Sequence, residues 1–256
     1  MTTESSPRSE PADRLVGSDR VLALLIELAN RPDGASLDEL ARAVASPKST
    51  VHRALAALTR ARLATREGAG RYTLGDEFVR LAFAYQDARP EAARILPALR
   101  ALADRFGETA HYAILDGADV VYRAKVDPPV GAMRLTSTVG GRNPARATAV
   151  GKVLLAQLLT DDADVKAWAR LHPLAPRTPR TLTDDDAFVA EVARARTLGY
   201  AVDDQENEPG VNCVAIRVGG PYGEGAVSVS GLAYHTPLRV LEDSLEEIRA
   251  IVAASR

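Results

Sequence analysis

The sequence predicts an α+β fold in two parts: a winged helix-turn-helix over residues 17–75, and a domain over 91–256 whose mainly antiparallel sheet is covered by helices. Three observations predict it. Apolar residues recur at helical spacing in three early runs separated by short breaks. An alternating hairpin follows them. From Glu108 the period changes to two, and the strands that follow are interrupted by helical stretches. The 256 residues suit two ordinary domains, and 46% apolar with 26% charged residues is a globular composition with ample material for a core.

Residues 1–16, "MTTESSPRSEPADRLV", open polar and lack the apolar centre of a signal peptide, so they are expected to form a disordered tail. The first helix is expected to start at Ser18 as N-cap and to turn Val21, Leu22, Leu25, Ile26 and Ala29 inward. "RPDGA" breaks it. In "SLDEL", Ser36 stands three residues before Glu39, the spacing of a capping box, with Leu37, Leu40, Ala41 and Val44 inward. After a very short turn, Ser46 is expected to cap a third helix, with Pro47 at its first position. Val51, Ala54, Leu55 and Leu58 follow i, i+3, i+4, i+7 spacing. "LATREGAGRYTLG" then reads as a hairpin turning at "EGAG".

At about 100° per residue, the third helix turns Ser49, His52, Arg53, Ala56 and Arg60 away from its apolar stripe, with Lys48 and Thr50 on the flanks. Net charge is only −2, yet from Ser46 to Arg71 the chain holds Lys48, Arg53, Arg60, Arg62, Arg66 and Arg71 against the single acid Glu67. A basic helix alone is more often a solvated face. Here the tight turn, short hydroxyls, basic first turn and basic hairpin agree on contact with a polyanion. Such a helix fits the DNA major groove: Arg53 can fork onto a guanine edge or grip a phosphate, and Ser49, Thr50 and the helix N-terminus can bond phosphate oxygens. Arg66 and Arg71 of the hairpin suit the neighbouring backbone or minor groove.

Residues 76–90 are expected to form a linker helix ending at Pro90, and "EAARILPALRALADRFGE" a second helix closed by Gly107 and disturbed by Pro97. "ETAHYAILD" and "DVVYRAKV" form an expected hairpin around Gly117. "AMRLTSTV" is expected as a further strand and "GRNPARATA" as an irregular loop before the helix "VGKVLLAQLL". Helices at about 162–170 and 183–198, strands "VNCVAIRV" and "GAVSVSGLA", and a last helix from about 237 to 254 complete the domain.

Several motifs lead elsewhere and fail. Gly151–Lys152 lacks the glycine five residues earlier, where Arg146 stands, and the following Ser or Thr, where Val153 stands, so it is no phosphate-cradling loop. Histidines 52, 111, 172 and 235 show no metal-ligand spacing, and lone Cys213 can neither pair internally nor anchor a zinc cluster. No metal or cofactor is expected. Cys213 or the acids at 203, 204, 206 and 208 could serve an enzyme acting on a small organic acid, but no paired base supports it. Those acids otherwise form a solvated loop or the rim of a pocket. No apolar run spans a membrane, and a cytoplasmic protein is expected.

"PKSTVHR", "TAVGK" and "ENEPGVNCVA", in this order and spacing, resemble the IclR family of bacterial transcriptional regulators, and the likeness runs from Ser18 onward. The resemblance implies a DNA-binding domain, a linking helix and a GAF-like effector domain, in homodimers or dimers of dimers. It places operator contacts on Lys48, Ser49, Thr50, His52 and Arg53. It places a small organic acid or aromatic effector against Leu135, Ala149, Val150, Asp203, Cys213, Ser228 and Ser230. Ala45 and Ser46 stand where the family often has glycine and an apolar residue. Asn143 and Ala145 replace larger apolar residues, which makes a more polar or roomier pocket wall.

Overall fold

The computed structural model describes residues 17–88, 90–128, 135–219 and 224–255; the tail expected over 1–16 lies outside them. The chain divides into two compact units, 1–88 and 89–256.

The first unit runs α1 (Gly17–Ala29), β1 (Ala35–Ser36), α2 (Leu37–Ala43), α3 (Lys48–Arg60), β2 (Ala64–Arg66), β3 (Arg71–Leu74) and α4 (Asp76–Asp87). The three strands form an antiparallel sheet in the order β1-β3-β2, with Tyr72 of the central strand facing Ala35 and Arg66. The capping box is present: Ser36 N–H donates to Glu39 Oε2 at 2.7 Å, and Glu39 N–H to Ser36 Oγ at 3.3 Å. Helix α3 buries Val51, Ala54, Leu55 and Leu58, as its spacing predicts. With Leu24, Leu28, Leu40 and Tyr72 they form the core.

Three local expectations fail. Ser18, expected as an N-cap, lies inside α1. Helix α1 buries Leu24 and Leu28, while Leu22 and Ile26 stay 59% and 61% exposed. Its sequence is apolar nearly all round, so period alone could not select the inward face. Ser46 does not cap α3. Its hydroxyl accepts from Arg20 Nε and donates to the Val44 carbonyl, Pro47 takes the cap position, and no side chain closes the helix. The turn before it passes through Ala45 at φ 45°, the left-handed region, which costs an L-residue roughly 1 kcal/mol more than glycine. Helix α4 buries none of its described side chains, and Phe78, Val79, Leu81 and Phe83 are exposed.

The second unit comprises α5 (Glu91–Phe106), β4 (Thr109–Asp116), β5 (Asp119–Val126), β6 (Arg142–Pro144), α6 (Ala149–Leu158), α7 (Asp162–Leu171), α8 (Asp185–Leu198), β7 (Tyr200–Asp204), β8 (Val211–Val218), β9 (Gly225–Leu232), α9 (Leu238–Asp243) and α10 (Leu245–Ala254). Its six strands are antiparallel in the order β6-β5-β4-β9-β8-β7. One sheet face packs on α5, α9 and α10 through Tyr112, Val214, Val227 and Val229. The other packs on α6, α7 and α8 through Ala113, Ala201, Ala215 and Ala226. Pro97 is accommodated inside a continuous α5, and Gly107 and Gly199 close α5 and α8 in left-handed conformation.

Residues 132–134 of the strand expected at "AMRLTSTV" lie outside the description, and 135–139 form no strand. The edge place goes instead to Arg142–Pro144, within the segment expected to be irregular. The last helix is broken at Ser244.

Candidate functional site

In the first unit the basic turn of α3 is on the surface. Lys48, Ser49, His52 and Arg53 are exposed and Thr50 is half-buried. Arg53 has no ion pair or hydrogen bond among the described residues. Lys48 Nζ lies 2.7 Å from Asp38, an exposed pair that salt screens and that contributes little. Because Ser46 is engaged elsewhere, the first-turn N–H groups of α3 remain uncapped by side chains. Those donors and the positive end of the helix dipole favour an anion.

On the hairpin the two arginines part company. Arg66 is exposed, its guanidinium 5.9 Å from the centre of the Tyr72 ring. Arg71 turns back: Nη2 donates to the Gly34 carbonyl at 2.6 Å, Nε to the Asp33 carbonyl at 3.2 Å, and Nη1 lies 3.5 Å from Glu39. It staples β3 to the turn before α2, while its side chain stays 42% exposed.

In the second unit a cavity of about 330 Å³ opens between the sheet and α6. Strand register explains its floor. Asp203, Cys213 and Ser230 form one row across β7, β8 and β9, and Ala201, Ala215, Ser228 and His111 the next. Same-parity residues share a face, so both rows look toward α6. A bulge in β5 between Tyr112 and Ala113 of its partner then pairs Ala113 with Tyr122, which brings Tyr122 to the His111 side. Of the seven residues expected at an effector, Leu135, Val150, Asp203, Cys213, Ser228 and Ser230 line this one cavity; Ala149 lies buried at the start of α6.

The start of α6 meets the cavity at Thr148 and Val150. Thr148 caps it, its Oγ1 accepting from Gly151 N–H at 3.2 Å, and Lys152 N–H donates to the Thr148 carbonyl. The N–H groups of Ala149 and Val150 have no partner among the described residues. Gly151 is required by close approach, since a Cβ there would lie 2.2 Å from the Ala145 carbonyl oxygen. That packing accounts for the glycine in "AVGK".

The acid cluster seen in the sequence divides by role. Asp203 faces the cavity, its Oδ1 accepting from Glu206 and Asn207 N–H. Asp204 pairs outward with Arg180, and Glu208 accepts from Thr136 at the cavity lining. Glu206 points inward, where its Oε1 is 2.5 Å from the fully buried Nζ of Lys152. Lys152 also donates to the Val202 carbonyl at 2.8 Å. Burial and nearby Asp203 push the Cys213 thiol up to about 12, which disfavours the thiolate; its sulfur accepts from Ser230 Oγ at 3.0 Å and also meets the Ser228 hydroxyl.

Sequence reasoning missed His111, Tyr122 and Ser137. The rings of His111 and Tyr122 stand 4.8 Å apart, His111 Nε2 shares a 2.8 Å hydrogen bond with Ser137 Oγ, and Asn143 Nδ2 donates to the Tyr122 hydroxyl at 3.2 Å. Lys125 Nζ holds the segment carrying Leu135 and Ser137 through both carbonyls. The polar Asn143 was the one legible sign of this wall.

His111 and Asp203 act oppositely on stability as pH changes. Burial raises Asp203 from 3.8 to about 7, so the folded state keeps a proton that the unfolded chain releases; this stabilisation is full below 3.8 and lost as pH rises through about 7. Burial and Lys125 lower His111 from 6.5 to about 3, so its contribution is present above 6.5 and lost as pH falls through about 3. Between 3.8 and 6.5 the two cancel, one proton each way. His111→Gln removes one side. Relative to the unmodified protein, urea unfolding of that variant, followed by Trp168, should lose about 1.4 kcal/mol per pH unit across the window. Parallel profiles would mean that the imidazole titrates normally.

Among the described residues no helix is long and apolar enough to cross a membrane. The IclR helix-turn-helix domain matches residues 18–68, and the bacterial transcriptional regulator IclR C-terminal domain matches 84–255. The transcriptional repressor IclR of Escherichia coli is 30% identical over 240 residues, covering 91% of this chain and 84% of that protein. The crystal structure of a putative transcriptional regulator from a Rhodococcus species matches with TM-score 0.76 at 29% identity, covering 93% of this chain and 96% of that one. An IclR homologue of Microbacterium hydrocarbonoxydans, complexed with 4-hydroxybenzoate, shares the fold with TM-score 0.74 at 22% identity over 93% of this chain and 100% of that one. The chain therefore belongs to the IclR family: it is a transcriptional regulator rather than an enzyme, with an N-terminal helix-turn-helix DNA-binding domain and a C-terminal effector domain.

Proposed function

We propose that two copies of this chain grip a pseudo-palindromic operator, and that a small organic acid or aromatic effector in the cavity shifts that grip. The observation that carries the reading is the α3 N-terminus: exposed Lys48, Ser49, His52 and Arg53 beside uncapped N–H groups. In this reading residues 17–75 read DNA, 76–90 link, and 91–256 hold the effector. Lys48, Ser49, Thr50 and the N–H groups grip phosphate, His52 and Arg53 reach base edges, and Arg66 adds a wing contact.

The uncovered apolar side chains of α4, with Leu22 and Ile26 of α1, support self-association as a dimer or dimer of dimers. In the cavity, the free N–H groups of Ala149 and Val150 suit a carboxylate, and the organic acid held by the Microbacterium homologue supports that class.

The test is duplex binding by fluorescence anisotropy over a range of salt. Affinity should fall linearly in log–log form, with slope near −0.9 per phosphate neutralised. Arg53→Ala should weaken operator binding by about 1–3 kcal/mol and relax discrimination at one base pair. Salt-insensitive binding, or an Arg53→Ala protein with full operator affinity, would overturn the reading. Arg71→Ala should instead lower the stability of the first unit, since its guanidinium is spent on Gly34 and Asp33.

A further inference from the structure

The cavity meets solvent at Thr136, Arg177 and Pro209, the exposed members of its lining, while Cys213, Ser228 and Ser230 lie buried at its floor. Two segments therefore form its mouth. One is the stretch 135–137, which belongs to no helix or strand, so its backbone carbonyls have no ladder to join. The other is the turn 205–209 between β7 and β8.

The two are held in different ways. The turn is fixed from behind. Thr178 Oγ1 donates to the Gln205 carbonyl and Thr181 Oγ1 to the Glu206 carbonyl, both at 2.7 Å, and Arg177 Nε donates to the Asn207 carbonyl at 3.1 Å. The stretch 135–137 hangs from one lysine. Lys125 stands opposite His111 in the pairing of β5 with β4, and its side chain is 11% exposed. An ammonium offers three N–H donors. Those of Lys125 meet the Leu135 carbonyl at 2.9 Å, the Ser137 carbonyl at 2.7 Å and Asp127 Oδ1 at 2.9 Å, so the group is fully committed. His111 adds its hydrogen bond to Ser137 Oγ. A flexible lysine stem turns where a ladder hydrogen bond would not. The segment is thus pinned along one edge and able to tilt.

Among the described residues, one hydrogen bond runs between the two segments: Thr136 Oγ1 donates to Glu208 Oε2 at 3.2 Å. It is exposed, and water competes for both partners. Such a bond is worth a factor of about two to ten in an equilibrium constant, and it stands against three charge-assisted bonds at Lys125. The contact that gives first is the one between Thr136 and Glu208.

We propose that 135–137 is a strap over the mouth of the cavity, with Thr136–Glu208 as its latch and Lys125 as its pin, and that release of the latch admits molecules to the floor. Lys125 is a positioning residue, since it touches the backbone of the strap and not the cavity. The strap sets how fast a molecule in the cavity exchanges with solvent. Its use in regulation rests on the reading of this cavity as the effector site, whereas the strap itself is tested without an effector.

Cys213, the single cysteine of the chain, is the reporter, because it lies on the floor at 7% exposure. The full chain is treated with excess dipyridyl disulfide. The Cys213 sulfur forms a mixed disulfide with one half, and the other half leaves as thiopyridone, read by its absorbance. Below the urea concentrations that unfold the protein, the parent rate should be slow and nearly independent of urea, the mark of a local opening that exposes little surface. Thr136→Val exchanges the hydroxyl for a methyl group and should raise that rate about two- to tenfold, with thermal unfolding unchanged. Thr136→Ser keeps the hydroxyl and should restore the parent rate. Lys125→Met should raise it at least about tenfold; should that protein not fold, the exposed Thr136 variants decide alone. A Thr136→Val rate equal to the parent's overturns the proposal, as does a Thr136→Ser protein that labels as fast as Thr136→Val. Labelling that climbs steeply with urea in every protein also overturns it, since the thiol is then reached only by global unfolding. A folded Lys125→Met protein that labels at the parent rate removes the pin and with it the strap. Failure of the effector-site reading shows instead in ligand titration and leaves these rates unchanged.

Discussion

Lys152→Met is expected to destabilise the effector domain by about 3–5 kcal/mol. The ammonium is fully buried on α6 and its charge is met by Glu206 at 2.5 Å and by the Val202 carbonyl. Methionine fills the same stem volume but strands the carboxylate. Glu206 Oε2 already has no partner among the described residues, and burial already raises this carboxyl above its ordinary value. The unpaired acid must then take up a proton or draw in water. The double variant Lys152→Met, Glu206→Gln should recover most of the loss, because replacing both members of a buried pair is often close to neutral. Urea unfolding monitored at Trp168 reads both numbers. A Lys152→Met protein as stable as the parent would show that the pair is solvated and dispensable. Effector affinity should fall as well, since Glu206 anchors the turn that brings Asp203, Asn207 and Glu208 to the cavity.

Gly151→Ala should cost about 3 kcal/mol or more, a large penalty for one methyl group. The added Cβ would meet the Ala145 carbonyl oxygen at 2.2 Å, its Cα at 2.4 Å and its carbonyl carbon at 2.6 Å. All three are backbone atoms held by the edge of the sheet, where Ala145 N–H donates to the Ala118 carbonyl. No flexible side chain can yield, so α6 must move as a body. That movement displaces the Ala149 and Val150 N–H groups, so acid binding should be lost even in protein that still folds at low temperature. Thermal unfolding and acid titration on the same sample check both effects. A variant that melts with the parent and binds acid normally would mean that α6 is free to slide.

Both effects trace to a short run, "TAVGK", whose meaning was only half legible. The sequence excluded a phosphate loop, because Arg146 and Val153 stand in the wrong places. It could not show that the glycine serves contact with Ala145, six residues away, or that the lysine reaches Glu206 across the fold. Helix α3 was legible because a single apolar stripe leaves one inward face. Helix α1 was not, because nearly every position after Arg20 is apolar and the rest of the core chooses the face. Ser46 obeyed a local capping rule on paper and lost to a tertiary contact with Arg20. Strict alternation along β5 would keep Tyr122 off the face that Lys125 shares with His111, but the bulge opposite Tyr112 and Ala113 exchanges parity midway, so Tyr122 joins His111 for a reason no periodicity carries. Strand β6, three residues long, is too short to alternate visibly. The pocket residues taken from the family resemblance come together in space; the wall of His111, Tyr122 and Ser137 depends on register and was invisible in one dimension.

Apart from half-buried Glu77, the described side chains of helix α4 face outward. If a second copy covers them, as proposed, part of the order of this helix is borrowed, and borrowed structure obeys the law of mass action. Dilution rather than heat would then be the condition that undoes it, and promoter occupancy would rise more steeply with protein dose than a one-to-one isotherm allows.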